Sequence, residues 1–180
     1  MKLQRRVENF IKKHDLEAGV LKIAAATGYD PLHWMRVVPY KECSRLLEKL
    51  DLKECDALEI SAGSVWQKKP FRSFTEMNYP DFDICFDKMD SEFDVVIADN
   101  VFEHLEYPSR AAKNVFSMIR PGGYFLNITP FLVRIHEIPN DCTRWTEYGM
   151  VRFLEEAGFD SRHMHSGSWG NEACVKANLT

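Results

Sequence analysis

Hydrophobic and polar positions follow two different rhythms along the chain. In the first third, apolar residues recur at helical spacing and predict helices over residues 1–14, 16–26 and 40–50. Further along, short apolar runs alternate with polar turns, which is typical of strands. We therefore expect a single domain, with a helical N-terminal cap over residues 1–54 and an α/β core over residues 55–180.

The pattern of the core is clearest in residues 93–129. Residues 94–98 are an unbroken apolar run, which suits a central parallel strand covered on both faces. A helix opened by Pro108 follows, and Pro121-Gly122-Gly123 turns the chain into a strand at 124–128. Together they predict one right-handed βαβ unit. Further strands are predicted at residues 57–60, 71–77, 82–86, 161–166 and 172–177.

The end of the chain has signals of its own. Thr146 can cap a helix that Gly158 ends. The last two predicted strands are joined by a turn short enough for a hairpin, so the final strand should run antiparallel.

Composition excludes several kinds of partner. The net charge is −4 and the pI about 5.9, which argues against a broad basic surface for nucleic acid. The five cysteines are odd in number, widely spaced and without C-x-x-C, which indicates a reducing compartment and no disulfide framework. No apolar run approaches the ~20 residues of a membrane span. We expect a cytoplasmic protein that binds no membrane, no nucleic acid and no metal, with its oligomeric state left open.

Polar residues follow the first two predicted core strands, where ligands bind in open α/β sheets. Glu59 precedes the small residues Ser61, Ala62 and Gly63, which let the backbone approach a ligand closely. An ordinary strand-to-turn junction explains them equally well. Glu76 ends the second strand, where a carboxylate can accept hydrogen bonds from both hydroxyls of a ribose, and its alternative is an exposed loop acid.

Two more groups follow the later strands. Asp99, Asn100 and the Glu103-His104 pair come after residues 94–98, and a histidine at this place suits a general base. The loop after the next strand is also rich in functional side chains, namely His136, Asp141, Arg144 and Trp145. Arg144 can hold an anionic group or pair with Asp141, so a connector stapled by that pair is the alternative for this loop.

Taken together, these motifs resemble class I S-adenosylmethionine-dependent methyltransferases of the small-molecule branch (type 11-like), over residues 58–177. The resemblance is most specific in residues 93–105 and in the Arg-Pro-Gly-Gly turn of residues 120–123. Residues 136–146 also recur in some of these proteins, often with sugar and cell-surface polymer biosynthesis. The implied fold is a three-layer Rossmann-like sheet, mostly parallel with an antiparallel last strand and abbreviated early crossovers.

The resemblance also implies roles for individual residues. The cofactor would be S-adenosyl-L-methionine, and the acceptor a small molecule or a glycan precursor. His104 and His136 would act as catalytic bases. Residues that would contact the cofactor are Glu59, Ser61, Ala62, Gly63, Glu76, Asp83, Asp99, Asn100 and Val101, with Asp87 as the alternative to Asp83 at the adenine amine. Residues that would bind the acceptor are Asp141, Arg144 and Trp145.

Two departures from this family keep other functions open. The family expects a glycine where Ser61 stands, and the first crossover is unusually short. A catalytically silent methyltransferase-like domain that binds a partner is therefore the alternative. A nicotinamide-dependent oxidoreductase is a second alternative, disfavoured because G-x-G-x-x-G is missing and because of the predicted final hairpin.

Overall fold

A four-stranded parallel sheet, in the order β2–β1–β3–β4, lies at the centre of residues 42–180. The structure, a computed structural model, describes residues 34–63, 65–136 and 139–179. The chain divides into two compact units, residues 1–41 and 42–180. The strands are β1 (Asp56–Ile60), β2 (Ser73–Met77), β3 (Phe93–Asp99) and β4 (Ile119–Ile128). The helices are α1 (Trp34–Leu47), α2 (Pro108–Ser117), α3 (Glu147–Ala157) and α4 (Glu172–Leu179).

The α/β class of the fold is confirmed, and the central βαβ unit is β3–α2–β4. The side chains of Val95, Val96, Ile97 and Ala98 in β3 are all fully buried, as an unbroken apolar run predicts for a strand covered on both faces. The buried side chains of α2, which include Val115, pack against one face of the sheet. Together they form one apolar cluster. This buried centre fixes the strand ends, where the candidate site lies.

Helix α3 begins and ends at the predicted residues. The Thr146 hydroxyl accepts a hydrogen bond from the Gly149 N–H at 3.1 Å, and so satisfies one of the free donors of the first turn. Gly158 follows the helix with φ +117°, a left-handed conformation. A Cβ on Gly158 would lie 2.9 Å from the Phe116 ring. Glycine is therefore required there for its backbone conformation and for space.

The early crossovers are as short as expected. Only a single 3₁₀ turn, Trp66–Lys68, lies among the described residues between β1 and β2. Residues 78–92, all of them described, contain no helix. The predicted strand at 82–86 is wrong. The side-chain carboxylate of Asp83 accepts a hydrogen bond from the Cys85 N–H at 2.9 Å, and the backbone carbonyl of Asp83 accepts one from the Phe86 N–H at 2.9 Å. These local bonds close a turn and compete with any strand ladder.

The predicted antiparallel hairpin at the end is also wrong. Ser161–His163 is a 3₁₀ turn, whose Arg162 N–H is capped by the Asp160 carboxylate at 3.0 Å. The predicted last strand is the helix α4, and the Asn171 side chain accepts the Cys174 N–H at its start. An apolar run this short does not by itself distinguish a strand from a helix, and the cap decides between them.

Two boundaries differ from the predicted ones. Helix α1 begins at Trp34 rather than at residue 40. Strand β4 begins at Ile119, and the Pro-Gly-Gly turn lies inside it as an irregularity opposite Asp94. Phe93 pairs with Ile119 and Val95 with Tyr124, so the chain of β4 loops out between the two pairs.

Some expectations lie beyond these residues. The helices predicted over residues 1–14 and 16–26 are outside the described part of the chain, and the predicted boundary at residue 54 stays a prediction. Among the residues that are described, no helix has both the length and the apolar character that crossing a membrane requires.

Candidate active site

Glu59 lies near the carboxyl end of β1 and is 1% exposed. Its Oε1 accepts the Gly63 N–H at 3.1 Å, whereas Oε2 has no hydrogen-bond partner among the described residues. Burial raises the pKa of this carboxyl to about 7 against the effect of the Gly63 hydrogen bond, and the nearby Asp99 and Glu76 charges raise it further. Glu59 therefore orders the turn after β1 while its charge is poorly solvated.

The turn after β1 has a backbone conformation that favours glycine. Ser61 has φ +55°, in the left-handed region. Its N–H donates to the Met77 carbonyl at 2.7 Å, and the Ala62 N–H donates to Asn78 Oδ1 at 2.7 Å. The backbone at Ser61 thus keeps the shape that a glycine would take, and the turn is tied to the end of β2.

A second left-handed residue, Asn100 with φ +55°, follows β3. Its N–H donates to the Ile128 carbonyl at 2.8 Å, and its side-chain amide donates to Asp99 Oδ1 at 2.7 Å. The other oxygen of Asp99 accepts the Trp66 indole N–H at 3.1 Å. Trp66 is fully buried, and the sequence analysis missed it. Its only signal there is a large aromatic residue within a short polar segment.

The remaining predicted cofactor residues lie in different parts of the structure. Glu76 pairs in register with Glu59 on the neighbouring strand, and it is exposed. Val101 is 5% exposed and belongs to the apolar core. Asp83 holds the local turn already described. The residues gathered at the carboxyl end of the sheet are thus Glu59, Ser61, Ala62, Gly63, Glu76, Asp99 and Asn100.

A second cluster forms where the 3₁₀ turn Phe102–His104 meets the loop of residues 139–146. The Glu103 carbonyl accepts the N–H groups of Cys142 at 2.8 Å and Thr143 at 3.2 Å. His104 Nδ1 is hydrogen-bonded to the Asn140 carbonyl. These bonds hold the loop against the turn.

The two predicted histidines and one buried acid lie together in this second cluster. The rings of His104 and His136 are 5.1 Å apart at an angle of 83°. Glu103 is fully buried, and its Oε1 lies 3.6 Å from His104 Nε2. Burial raises the pKa of Glu103 to about 7, although His104 and Arg144 act in the opposite direction. His104 and His136 are therefore brought together, although 32 positions separate them in the sequence.

The loop is stapled by an ion pair between Asp141 and Arg144. The guanidinium donates through both terminal nitrogens, with Nη2 2.7 Å from Asp141 Oδ2, and these hydrogen bonds lower the pKa of Asp141 to about 2. Arg144 Nη2 also lies 3.4 Å from His136 Nδ1. Arg144 is thus paired with Asp141, and its binding of an anionic group stays a prediction.

A cavity of about 230 Å³ opens beside this staple. It is lined by Val133, Ile135, Asp141, Cys142, Thr143 and Arg144. Trp145, which is predicted to bind the acceptor, packs against Phe153 with ring centroids 5.3 Å apart, at the edge of the core. Asp141 and Arg144 therefore border an open cleft, whereas Trp145 packs at the edge of the core.

Part of the chain is similar to a known protein family. Residues 42–125 match the family described as "Methyltransferase domain". This part of the chain is similar to a methyltransferase domain. The match agrees with the predicted class, an S-adenosylmethionine-dependent methyltransferase with that cofactor. No curated protein matches the chain in sequence.

Solved structures resemble the chain in fold. One belongs to the complex between the Haloferax volcanii Trm112 methyltransferase activator and a methyltransferase, with 16% identity and a TM-score of 0.52, covering 69% of this chain and 70% of that one. A second is a DhpI–SAH complex, with 17% identity and a TM-score of 0.45, covering 68% and 78%. A third is PigF with SAH, with 13% identity and a TM-score of 0.46, covering 87% and 63%.

The family match separates the two clusters of candidate residues. It includes every predicted cofactor residue and His104, but it ends before the loop that holds His136, Asp141, Arg144 and Trp145. The roles assigned to individual residues stay predictions on both sides of that boundary.

Proposed function

We propose that the protein transfers a methyl group from S-adenosylmethionine to a small molecule or a glycan precursor. The main support is the convergence of Glu59, Glu76 and Asp99 at the carboxyl end of the sheet, where burial raises the pKa of Glu59 and the charges of Asp99 and Glu76 add to that effect. The cofactor carries a positive sulfonium and a positive ammonium group. The charges of Asp99 and Glu76, together with that of Glu59 when it is ionised, favour such a cation by direct Coulomb attraction.

The residues at this edge fit the cofactor in a specific way. Glu76 is exposed at the end of β2, where its carboxylate can accept both ribose hydroxyls. Among the described residues, a Cβ built on Gly63 would meet only Glu59 Oε1, at 3.9 Å, so a ligand can approach this backbone closely. Bound there, the cofactor supplies a strongly electrophilic methyl group, and positioning of the two reactants then provides much of the rate.

His104 is the first candidate for the base that accepts a proton from a hydroxyl or amine acceptor. Its Nδ1 faces the Asn140 carbonyl, which can only accept a hydrogen bond, so in the neutral ring the proton is on Nδ1. The lone pair is then on Nε2. His136 is the second candidate, with 38% of its side chain exposed beside the cleft. The class of acceptor rests on the resemblance of residues 136–146 to proteins of sugar and polymer biosynthesis.

Binding of the cofactor is the first test, by isothermal titration calorimetry with S-adenosylmethionine, S-adenosylhomocysteine and NADH. We expect both sulfur nucleosides to bind and NADH not to bind. Because the Haloferax volcanii structure is a complex with an activator, light scattering should first establish whether the purified chain is alone. If neither S-adenosylmethionine nor S-adenosylhomocysteine bound at millimolar concentration, the methyltransferase function would be excluded.

Glu76→Ala should weaken the binding of S-adenosylmethionine by about 1.5–3 kcal/mol, the range for a hydrogen bond to a charged group. Glu92→Ala is the matched control, because Glu92 is an exposed glutamate just before β3, at the opposite end of the sheet. Its affinity should stay within about twofold of the unsubstituted protein. Equal effects of the two substitutions would remove Glu76 from the cofactor site.

A catalytically silent binding domain is the second candidate, and one observation favours it. The N–H groups of Ser61, Ala62 and Gly63 are all engaged within the protein, by Met77, Asn78 and Glu59. None of these three donors is available to the carboxylate of a cofactor without rearrangement. The titration described above separates the two candidates, because only the enzyme requires binding of the sulfur nucleosides.

A further inference from the structure

We propose that Glu103, His104 and His136 form a binding site for a divalent transition-metal ion of the zinc type. Each side chain offers one ligand atom, and all three atoms lie within 4.8 Å of one another. One carboxylate and two imidazoles are the protein ligands of one class of catalytic zinc site, which keeps a further position open. The spacing of residues in the sequence does not indicate this site, because the loop brings His136 from far along the chain.

The strongest indication is the state of Glu103. Its side chain is fully buried, and no other described residue donates a hydrogen bond to either carboxylate oxygen. Buried carboxylates are normally paired, hydrogen-bonded or bound to a metal, because an isolated charge in the interior is costly. Among the described residues, the nearest ionic partner of Glu103 is His104, at 3.6 Å, which is longer than a hydrogen bond.

His104 is oriented as a metal-binding histidine would be. Its Nδ1 is hydrogen-bonded to the Asn140 carbonyl, which leaves Nε2 facing Glu103. Ligating histidines commonly donate their second N–H to a carbonyl or carboxylate in this way. The 3.6 Å between Nε2 and Glu103 Oε1 is close to the ~3.4 Å that separates two ligands of a tetrahedral ion with bonds of about 2.1 Å.

His136 completes the set and has the most freedom to adjust. Two ligands of one ion with bonds of about 2.1 Å are at most ~4.2 Å apart, so a cluster that spans up to 4.8 Å contracts slightly on binding. With 38% of its side chain exposed, His136 can turn inward. Arg144 is the neighbouring cation, but its charge is compensated by the two-oxygen pair with Asp141.

Metal binding has a consequence for catalysis that rests on the proposed function. An ion with three protein ligands can bind an oxygen of the acceptor and lower the pKa of a bound hydroxyl. With an ion bound, His104 Nε2 would donate its lone pair to the metal. His104 would then position the ion rather than accept a proton. Metal binding itself is measured without cofactor or acceptor, so its failure and the failure of the proposed function can be told apart.

The test is calorimetric titration of the chelator-stripped full chain with Zn²⁺, repeated with Co²⁺ and its visible absorption. We expect one ion per chain. The visible absorption of Co²⁺ should be that of an ion with few ligands rather than that of the hydrated ion. Glu103→Gln and His136→Ala should each raise the dissociation constant by more than about 100-fold, since loss of a second-shell partner already costs 10–100-fold. His136→Ala is at a half-exposed position, so it reports on binding even if Glu103→Gln fails to fold.

Two controls exclude ordinary surface binding. His163→Gln removes a histidine that is 83% exposed, and Cys142→Ser removes the exposed thiol nearest the cluster. Both variants should keep the affinity within about threefold. Absence of stoichiometric binding, or an equal loss in the controls and in His136→Ala, would overturn the metal site.

Discussion

The carboxylates at the two ends of the central sheet have opposite environments. At the amino end, Asp56 accepts hydrogen bonds from Arg72 at 2.9 and 2.6 Å and from Arg120 at 3.0 Å. Arg120 also donates to Asp94 at 2.5 Å. Hydrogen bonds from Arg72 and Ser73 hold the pKa of Asp56 well below its usual range. Burial acts to raise the pKa of Asp94, but the bonds from the Asp56 N–H and Arg120 lower it overall.

At the carboxyl end, the charges of Asp99 and Glu76 act on the carboxyl of Glu59. Glu59 is buried, one of its oxygens has no partner among the described residues, and its pKa is raised. Ser61 and Asn100 add left-handed backbone at the same edge. Paired charges at one end serve the fold, whereas raised pKa values and strained backbone at the other are typical of sites that give up stability for a ligand.

Trp66 offers the largest test of this difference. Trp66→Ala should lower the free energy of unfolding by about 3–5 kcal/mol, because a fully buried aromatic ring is removed. Trp66→Phe keeps most of the volume but removes the hydrogen bond to Asp99, so its loss should be clearly smaller. Urea denaturation measures both. A loss below about 1 kcal/mol for Trp66→Ala would contradict the packing of the carboxyl end.

Glu59→Gln should stabilise the protein at pH 8. The folded-state pKa is about 7 against 4.5 for the ordinary group, so ionisation of Glu59 opposes folding increasingly between these values and fully above them. We expect the variant to gain about 1–3 kcal/mol over the unsubstituted protein at pH 8, and little at pH 4.

The matched substitution at the amino end is Asp56→Asn, which should lose stability at pH 8. The lowered pKa of Asp56 contributes stability that is present above the unfolded-state value and is lost only as the pH falls. Denaturation curves at several pH values measure both variants. If the two substitutions changed stability in the same direction, the contrast between the ends of the sheet would be wrong.

Ser61→Gly is expected to have the smallest effect, a gain of up to about 1 kcal/mol from relief of the left-handed backbone. The same substitution at Ser73 should be destabilising, because Ser73 lies in β2 and its hydroxyl donates to Asp56 at 2.7 Å. Thermal denaturation of the two variants side by side is sufficient. A loss of stability in Ser61→Gly would mean that the serine hydroxyl contributes more than the strain costs.

Much of the fold follows from local patterns in the sequence. The apolar run of β3, Pro108, and the cap residues Thr146 and Gly158 each act through neighbours within a few positions, so their elements were predictable. The terminal strands were not, because a few apolar residues fit either a strand or a helix. There the side chains of Asp160 and Asn171 decide the structure.

The candidate site was predictable only where it follows a strand. Asp99, Asn100 and Glu76 are found by their position after apolar runs, and the family resemblance depends on the same residues. The burial of Glu103 and the contact between His104 and His136 depend on how the loop of residues 139–146 folds back onto the turn Phe102–His104. Contacts of such long range have no signature in a single sequence.

The most direct test of the account is an NMR titration of the isotope-labelled chain with S-adenosylhomocysteine. We predict that the backbone amide signals of Gly63, Glu76 and Asn100 shift in a saturable manner. Those of Asp56, Asp94 and Arg120, at the amino end, should not move. Shifts confined to the amino end, or no shifts at millimolar ligand, would contradict a cofactor site at the carboxyl end of the sheet.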